Sequence, residues 1–275
     1  EAIFLRSLAY FYLVRVFKEV PFVLEASESD DADFYLPKSD DATILNAIKS
    51  DLEAARYYAT DDYGSLEENK GRATRASILA LLADISLWDF EYEAVIEYVG
   101  EIEEMGFQLL PANRWFDNFY PGNSLSSIFE FQFNSSQEQW NDLFAYTYFR
   151  NQRYLASSKA LELLSAETDA NPELYRGRGS LRSDDAAIWK YCGIAPDGRS
   201  FRPSTEQSDA NWIVYRFADL LLMKAEALSQ LDRYEEAQQI LDAIRNRAQT
   251  NPKTVQQSRQ AFEDAILEER AIELA

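Results

Sequence analysis

Residues 211–248 read NWIVYRFADLLLMKAEALSQLDRYEEAQQILDAIRNRA. Val214, Phe217, Leu221, Ala225 and Leu228 recur at the spacing of one helical face. Tyr215, Leu220, Leu222, Met223 and Ala227 fill most of the remaining circumference, leaving Arg216, Asp219, Glu226 and Gln230 in a narrow polar stripe beside Lys224. A helix apolar nearly all round belongs inside a stack of other helices. After the break Leu231-Asp232-Arg233, a second helix is predicted from Tyr234, Ala237, Ile240, Leu241, Ile244 and Ala248. So short a break makes the two helices antiparallel neighbours. Pairs of this kind are what helical repeat proteins stack.

An approximate copy lies upstream. Residues 72–88 place Ala73, Ala76, Ala80, Ala83 and Leu87 in a small-residue seam, and after Asp89-Phe90-Glu91 a partner helix runs over 92–105 to a cap at Gly106. Ala83 to Tyr92 repeats the spacing of Ala225 to Tyr234, with Ala94 and Ala237 soon after each Tyr. This is the packing logic of tetratricopeptide-like helix pairs. Residues 1–17 form a further predicted helix, burying Leu5, Leu8, Ala9, Tyr12, Leu13 and Val16, and it ends ahead of Pro21. An acidic irregular segment over 22–40 leads to a cap at Ser39 or Asp40 and a helix over 42–58 carrying Ile44, Ile48, Leu52 and Ala55 inward. A polar loop is expected over 60–70, and a last helix over 259–275 turns Phe262, Ile266 and Ile272 to the core.

Between the two pairs the pattern changes. Residues 127–134 alternate, with Phe129, Phe131 and Phe133 on one side and Glu130 and Gln132 on the other, which predicts a strand. Only 154–165 reads as helix in this region, where Gly, Pro, Asn, Ser and aromatic residues are frequent. The expected architecture is mainly α: tetratricopeptide-like helical pairs form a scaffold over 1–106 and 212–275, and an irregular loop and short-strand insertion occupies 107–211. The three parts make one composite domain. Long irregular insertions on a helical scaffold tend to carry function.

Composition removes several classes. With 275 residues, 47% hydrophobic, the chain can bury a full core. A net charge of −20 opposes nucleic acid, whose phosphates require a basic face. No apolar run is long enough to span a membrane. Cys192 is the single cysteine and there is no histidine, so an intrachain disulfide, thiolate clusters, His-ligated zinc and His-dependent nucleophilic catalysis are all excluded within this sequence. Residues 1 and 275 both fall inside helical patterns, so the sequence is expected to be the middle of a longer protein.

Four segments occur in order: EAIFLRSLAYFYLVRVFKEVPFV, GRATRASILALLADISLW, WIVYRFADLLLMKAEAL and ILEERAIELA. Together they closely resemble the SusD/RagB family of outer-membrane lipoproteins from Bacteroidetes, whose members typically read EA-R-FLRA-YF, G-RAT-AA-ALLA, R-AE-LL--AEA and ERR-EL. Ile3 stands where the family usually has Arg, and Ala271 also departs from the usual residue. The resemblance implies a non-catalytic, cell-surface lid over a SusC-like TonB-dependent transporter that captures oligosaccharides, or peptides in some members. The residues themselves point to no cofactor, no metal site and, from the net charge of −20, no nucleic-acid partner. Membrane attachment would come from an N-terminal lipid anchor outside this sequence, since Cys192 lies too deep in the chain to carry it.

Sugar binding without chemistry calls for aromatic faces flanked by amides, carboxylates or Arg. Residues 134–153 supply both, and the candidate ligand-binding residues are Trp140, Asn141, Asp142, Tyr146, Tyr148 and Arg150. The competing reading is that these aromatics seal the insertion onto the helices; Trp189 and Trp212 are assigned to the core on that basis. Arg216–Asp219 and Arg245 with Glu226 or Glu269 are expected as structural ion pairs, and Asp30-Asp31, Asp61-Asp62 and Asp184-Asp185 lack calcium-loop spacing. Two other classes stay open: a tetratricopeptide-type protein–protein adaptor, and a glycosidase built on two convergent carboxylates.

Overall fold

The computed structural model describes residues 1–26, 35–142, 146–147, 153–170, 175–181, 186–188, 190–192 and 208–274. The described residues are mainly helical, with one two-stranded sheet. In chain order the elements are α1 (Ala2–Phe17), α2 (Asp41–Arg56), α3 (Leu66–Gly71), α4 (Arg75–Trp88), α5 (Tyr92–Glu104), β1 (Ser127–Phe131), α6 (Ser158–Ala170), α7 (Tyr175–Ser180), β2 (Trp212–Arg216), α8 (Phe217–Gln230), α9 (Tyr234–Arg247) and α10 (Arg259–Leu274). α1 packs on α2, α4 on α5 and α8 on α9, while α5 and α10 both lie against α8.

The predicted pairs form where the sequence places them. In α4 every residue over 76–83 is buried, and Ala83 and Ala225 are fully enclosed at matching points of α4 and α8. Small side chains there let the neighbouring axes approach. Asp40 caps α2 by accepting from the Thr43 N–H at 2.8 Å, and Thr74 caps α4 by accepting from the Ser77 N–H at 3.3 Å. Gly106 takes φ +81° just after α5, a turn that its missing Cβ permits.

Several expectations are corrected. The predicted first helix of residues 211–248 begins only at Phe217, because 212–216 form β2, antiparallel to β1. Ile213, Val214 and Tyr215 suit a strand as well as a helix, and a partner edge at β1 decides between them. The loop over 60–70 contains α3, capped by Ser65. Helix α6 begins and ends later than 154–165. The strand β1 stops at Phe131, and Glu130 on its polar side is fully buried, not solvated.

The buried face of α1 is Phe4, Ser7, Leu8, Phe11 and Val14, so of the predicted set only Leu8 is inward; Leu5, Tyr12, Leu13 and Val16 are exposed. This helix has apolar residues on two faces, so spacing alone could not choose. Edge-to-face contacts of Phe4 with Phe129 at 4.9 Å and of Phe11 with Trp88 at 6.4 Å mark the face that is buried.

Arg245 does pair with Glu269, at 2.6 Å, but Arg216 pairs with Glu273 at 2.7 Å, and Asp219 takes Arg270 at 2.9 Å. Beside this last pair, Asp84 accepts from the Tyr215 hydroxyl at 2.8 Å and lies 3.6 Å from Arg15. Burial pushes the Asp84 carboxyl up to about 6; Arg15 opposes the rise and Asp219 adds to it. A carboxyl raised from 3.8 favours the fold while protonated. Its contribution is therefore fully present below pH 3.8 and is lost as pH climbs to about 6. Asp84→Asn is expected to flatten the fall in unfolding free energy across that window, as read from urea denaturation at stepped pH. An unaltered slope would refute the assignment.

Candidate functional site

The exposed end of the small sheet is the candidate site. Phe131 on β1 faces Trp212 on β2 as a direct cross-strand pair, so the two side chains share a face. They are 45% and 37% exposed, while Phe129, one pleat inward, is buried. Tyr191 stacks on Trp212 with centroids 5.3 Å apart and planes 17° apart. Tyr191 meets Phe119 at 5.3 Å, and Phe119 meets Trp115 at 5.4 Å. A column of rings thus runs from the buried Trp115 to the solvent-facing Trp212. Lys190 lies 5.3 Å from the Phe119 centroid and donates to the Leu274 carbonyl at 2.9 Å; burial, then repulsion from Arg216, pushes its ammonium down to about 7.

A knot of polar side chains fixes the strand ends beneath this pair. Asn211 donates from Nδ2 to Glu130 at 2.8 Å and to Gln132 at 2.9 Å, and accepts from the Phe133 N–H at 3.1 Å. The amides of Asn123 and Gln132 bond each other in both directions, at 3.0 and 2.8 Å. Burial pushes the Glu130 carboxyl up, while the Asn211 amide and the Asn123 backbone N–H, donating to it, pull it back. Gly122 must be Gly here: at φ +78° a Cβ would sit 3.0 Å from Glu130 Oε2.

The predicted loop residues are only partly assembled. Trp140 is half-buried and Asp142 exposed. Asn141 is buried and anchors the loop, its backbone N–H donating to the Ser208 carbonyl at 2.7 Å and its side-chain amide to the Ala210 carbonyl at 2.8 Å. That tether brings Trp140 beside the residues entering β2. Tyr146 lies farther along, edge-on to Tyr154 at 5.8 Å with the Arg153 guanidinium 5.4 Å over its ring. Tyr148 and Arg150 lie outside the described residues, as does Trp189.

Sequence reasoning missed Phe131 and Trp212 as a surface pair and placed Trp212 in the core. Reading WIVYR as a strand opposite SIFEF would have exposed the error. Among the described residues no group of His, Cys, Asp or Glu is arranged to hold a metal ion. Asp61 is taken by Arg75 at 3.1 Å, and Asp62 by Gly64 N–H and Asn69, each at 2.8 Å.

Stacked helix pairs bearing a face built from strand ends and loops make a scaffold for recognition. The chain is similar to the SusD/RagB family at both of its ends. A family model described as the SusD family matches residues 193–275, and one described as starch-binding, associating with the outer membrane, matches residues 1–87. The SusD-like protein P38 of Formosa agariphila is 27% identical over the whole of this chain and 63% of its own length. A SusD superfamily protein from Bacteroides thetaiotaomicron superposes with a TM-score of 0.79 at 21% identity, covering 99% of this chain and 64% of its own. A laminarin-binding SusD-like protein gives 0.75 at 21% identity, covering 100% of this chain and 67% of its own. The chain spans about 60% of the length of the curated relatives it matches. Among the described residues no helix is long and apolar enough to cross a membrane.

Proposed function

We propose that this protein binds an oligosaccharide at the Phe131–Trp212 face and delivers it to a TonB-dependent transporter in the outer membrane, breaking no bond. Two partly exposed aromatic side chains, held on one edge by a buried ring column, carry this reading. A rigid aromatic face meets the C–H surface of a sugar ring with little loss of side-chain entropy. Trp140 and Asp142 would flank this face, with Asn141 holding the loop in place, and Tyr146, Tyr148 and Arg150 are proposed as ligand contacts from the sequence alone. The helical parts, 1–106 and 212–275, are the frame, and the insertion 107–211 meets Trp212 at the frame's edge to complete the binding face. Attachment to the cell surface is through a lipid anchor carried elsewhere in the protein.

The family description as starch-binding supports a glycan ligand, and the laminarin-binding neighbour makes β-glucans a natural part of the test. Calorimetric titration against starch, laminarin and other oligosaccharides, with chromatography of each mixture afterwards, examines both halves of the proposal. Binding with every oligosaccharide intact is the expected outcome. Released product would replace the proposal with a glycosidase, and binding of peptides alone would replace the ligand class.

A further inference from the structure

A second recess lies beside α3. It encloses about 200 Å³ and is lined by Lys70, Thr74, Phe107, Met105 and Leu125, with Asp61 also contributing. α3 is pressed onto the strand side at Gly71, where a Cβ would come within 2.5 Å of Gln132 Cγ. This contact sets Lys70 inward, and the residue is only 6% exposed.

Lys70 is unusual in a chain of net charge −20. Among the described residues nothing accepts a hydrogen bond from its ammonium and no carboxylate lies within 4.0 Å; its contact is the Phe107 ring, 4.4 Å from Nζ to centroid. Its neighbours Arg72 and Arg75 do have carboxylates, Glu1 at 2.7 Å and Asp61 at 3.1 Å. The two acids nearest the recess are committed elsewhere: Asp61 to Arg75, and Glu130 to Asn123 and Asn211. Thr74 gives a second donor. Its oxygen accepts from the Ser77 N–H at 3.3 Å, so the hydroxyl proton is left to point elsewhere.

We propose that this recess binds a single carboxylate, held by Lys70 Nζ and the Thr74 hydroxyl, with the ligand's hydrocarbon part against Phe107, Met105 and Leu125. One ammonium neutralises one negative charge, and the surrounding acidity disfavours a dianion such as phosphate. The carboxylate could belong to a uronic acid residue of an acidic glycan or to a free organic acid. Burial pushes the Lys70 ammonium down to about 8, with Glu130 opposing, so it remains largely charged at neutral pH and would be raised by a bound anion. The proposal stands whether or not the aromatic face binds sugar.

The test is titration of the protein with glucuronate, acetate and glucose, following the Lys70 side chain by NMR. Glucuronate is expected to bind and to raise the Lys70 pKa, and glucose is expected to leave it unmoved. Glucuronate at least about tenfold tighter than acetate would indicate a uronic acid, whereas equal affinities would indicate a free acid. Lys70→Met should weaken glucuronate binding about tenfold or more while leaving the Tm unchanged or higher, because a charge without a carboxylate partner is removed. Absence of any shift at Lys70, equal binding to Lys70→Met, or a large drop in the Tm of that variant would each overturn the proposal.

Discussion

Glu273→Ala is expected to destabilise the protein by about 3–5 kcal/mol, the range for breaking a buried ion pair from one side. Glu273 on α10 is fully buried. It accepts from Arg176 at 2.9 Å, from Arg216 at 2.7 Å and from Arg247. Arg176 bridges onward to Glu167 and Glu269, each at 2.6 Å, and Glu269 reaches Arg245 at 2.6 Å. The arginines come from α7, β2 and α9, so removing one carboxylate strands charges on three elements at once.

The pH dependence follows. Burial resists ionisation of Glu273, but Arg247, Arg216 and Arg176 outweigh it and hold the carboxyl well below its ordinary 4.5. A lowered carboxylate stabilises the fold above its unfolded pKa, and that stabilisation is lost as pH falls through the folded one. Acid unfolding should therefore steepen below about pH 4 in the native chain and be blunted in Glu273→Ala. Urea denaturation of both at pH 7 and pH 3 reads the two effects. A loss under about 1 kcal/mol at pH 7 would mean that the arginines find other partners.

This network also shows how far the sequence could be read. The ILEERAIELA segment pointed to the family, but nothing in its spacing says that Glu269 and Glu273 are buried beneath four arginines. Helical periodicity records which face is apolar; it does not record a carboxylate neutralised by residues distant in the chain. The helix pairs were legible because their information is local: Ala at the contact, a three-residue break, Tyr at the restart. β2 was not, because five residues that suit either state are decided by β1, some eighty positions away. The same distance hid the candidate site. Trp212 reads as core from its neighbours, and only its pairing with Phe131 brings it to the edge.

Trp212→Ala is accordingly expected to weaken binding of whichever oligosaccharide the protein takes by about tenfold or more, the value of losing one aromatic face worth about 1.5 kcal/mol. Its structural cost should be small by comparison. Trp212 is 37% exposed and touches the column mainly through Tyr191, whereas Trp115 at the other end is 1% exposed. Trp115 lies between Phe119 and the guanidinium groups of Arg216 and Arg247, which sit 5.3 and 5.5 Å from its ring centroid. Trp115→Ala should then cost about 3–5 kcal/mol of stability, and it serves as the contrasting variant. The two ends of one aromatic column are expected to separate: the inner tryptophan governs unfolding and the outer one governs affinity. Calorimetry and thermal melts on both variants make the comparison. If Trp212→Ala retains full affinity while losing as much stability as Trp115→Ala, the outer ring is part of the core and the sugar must be held by the loop carrying Trp140.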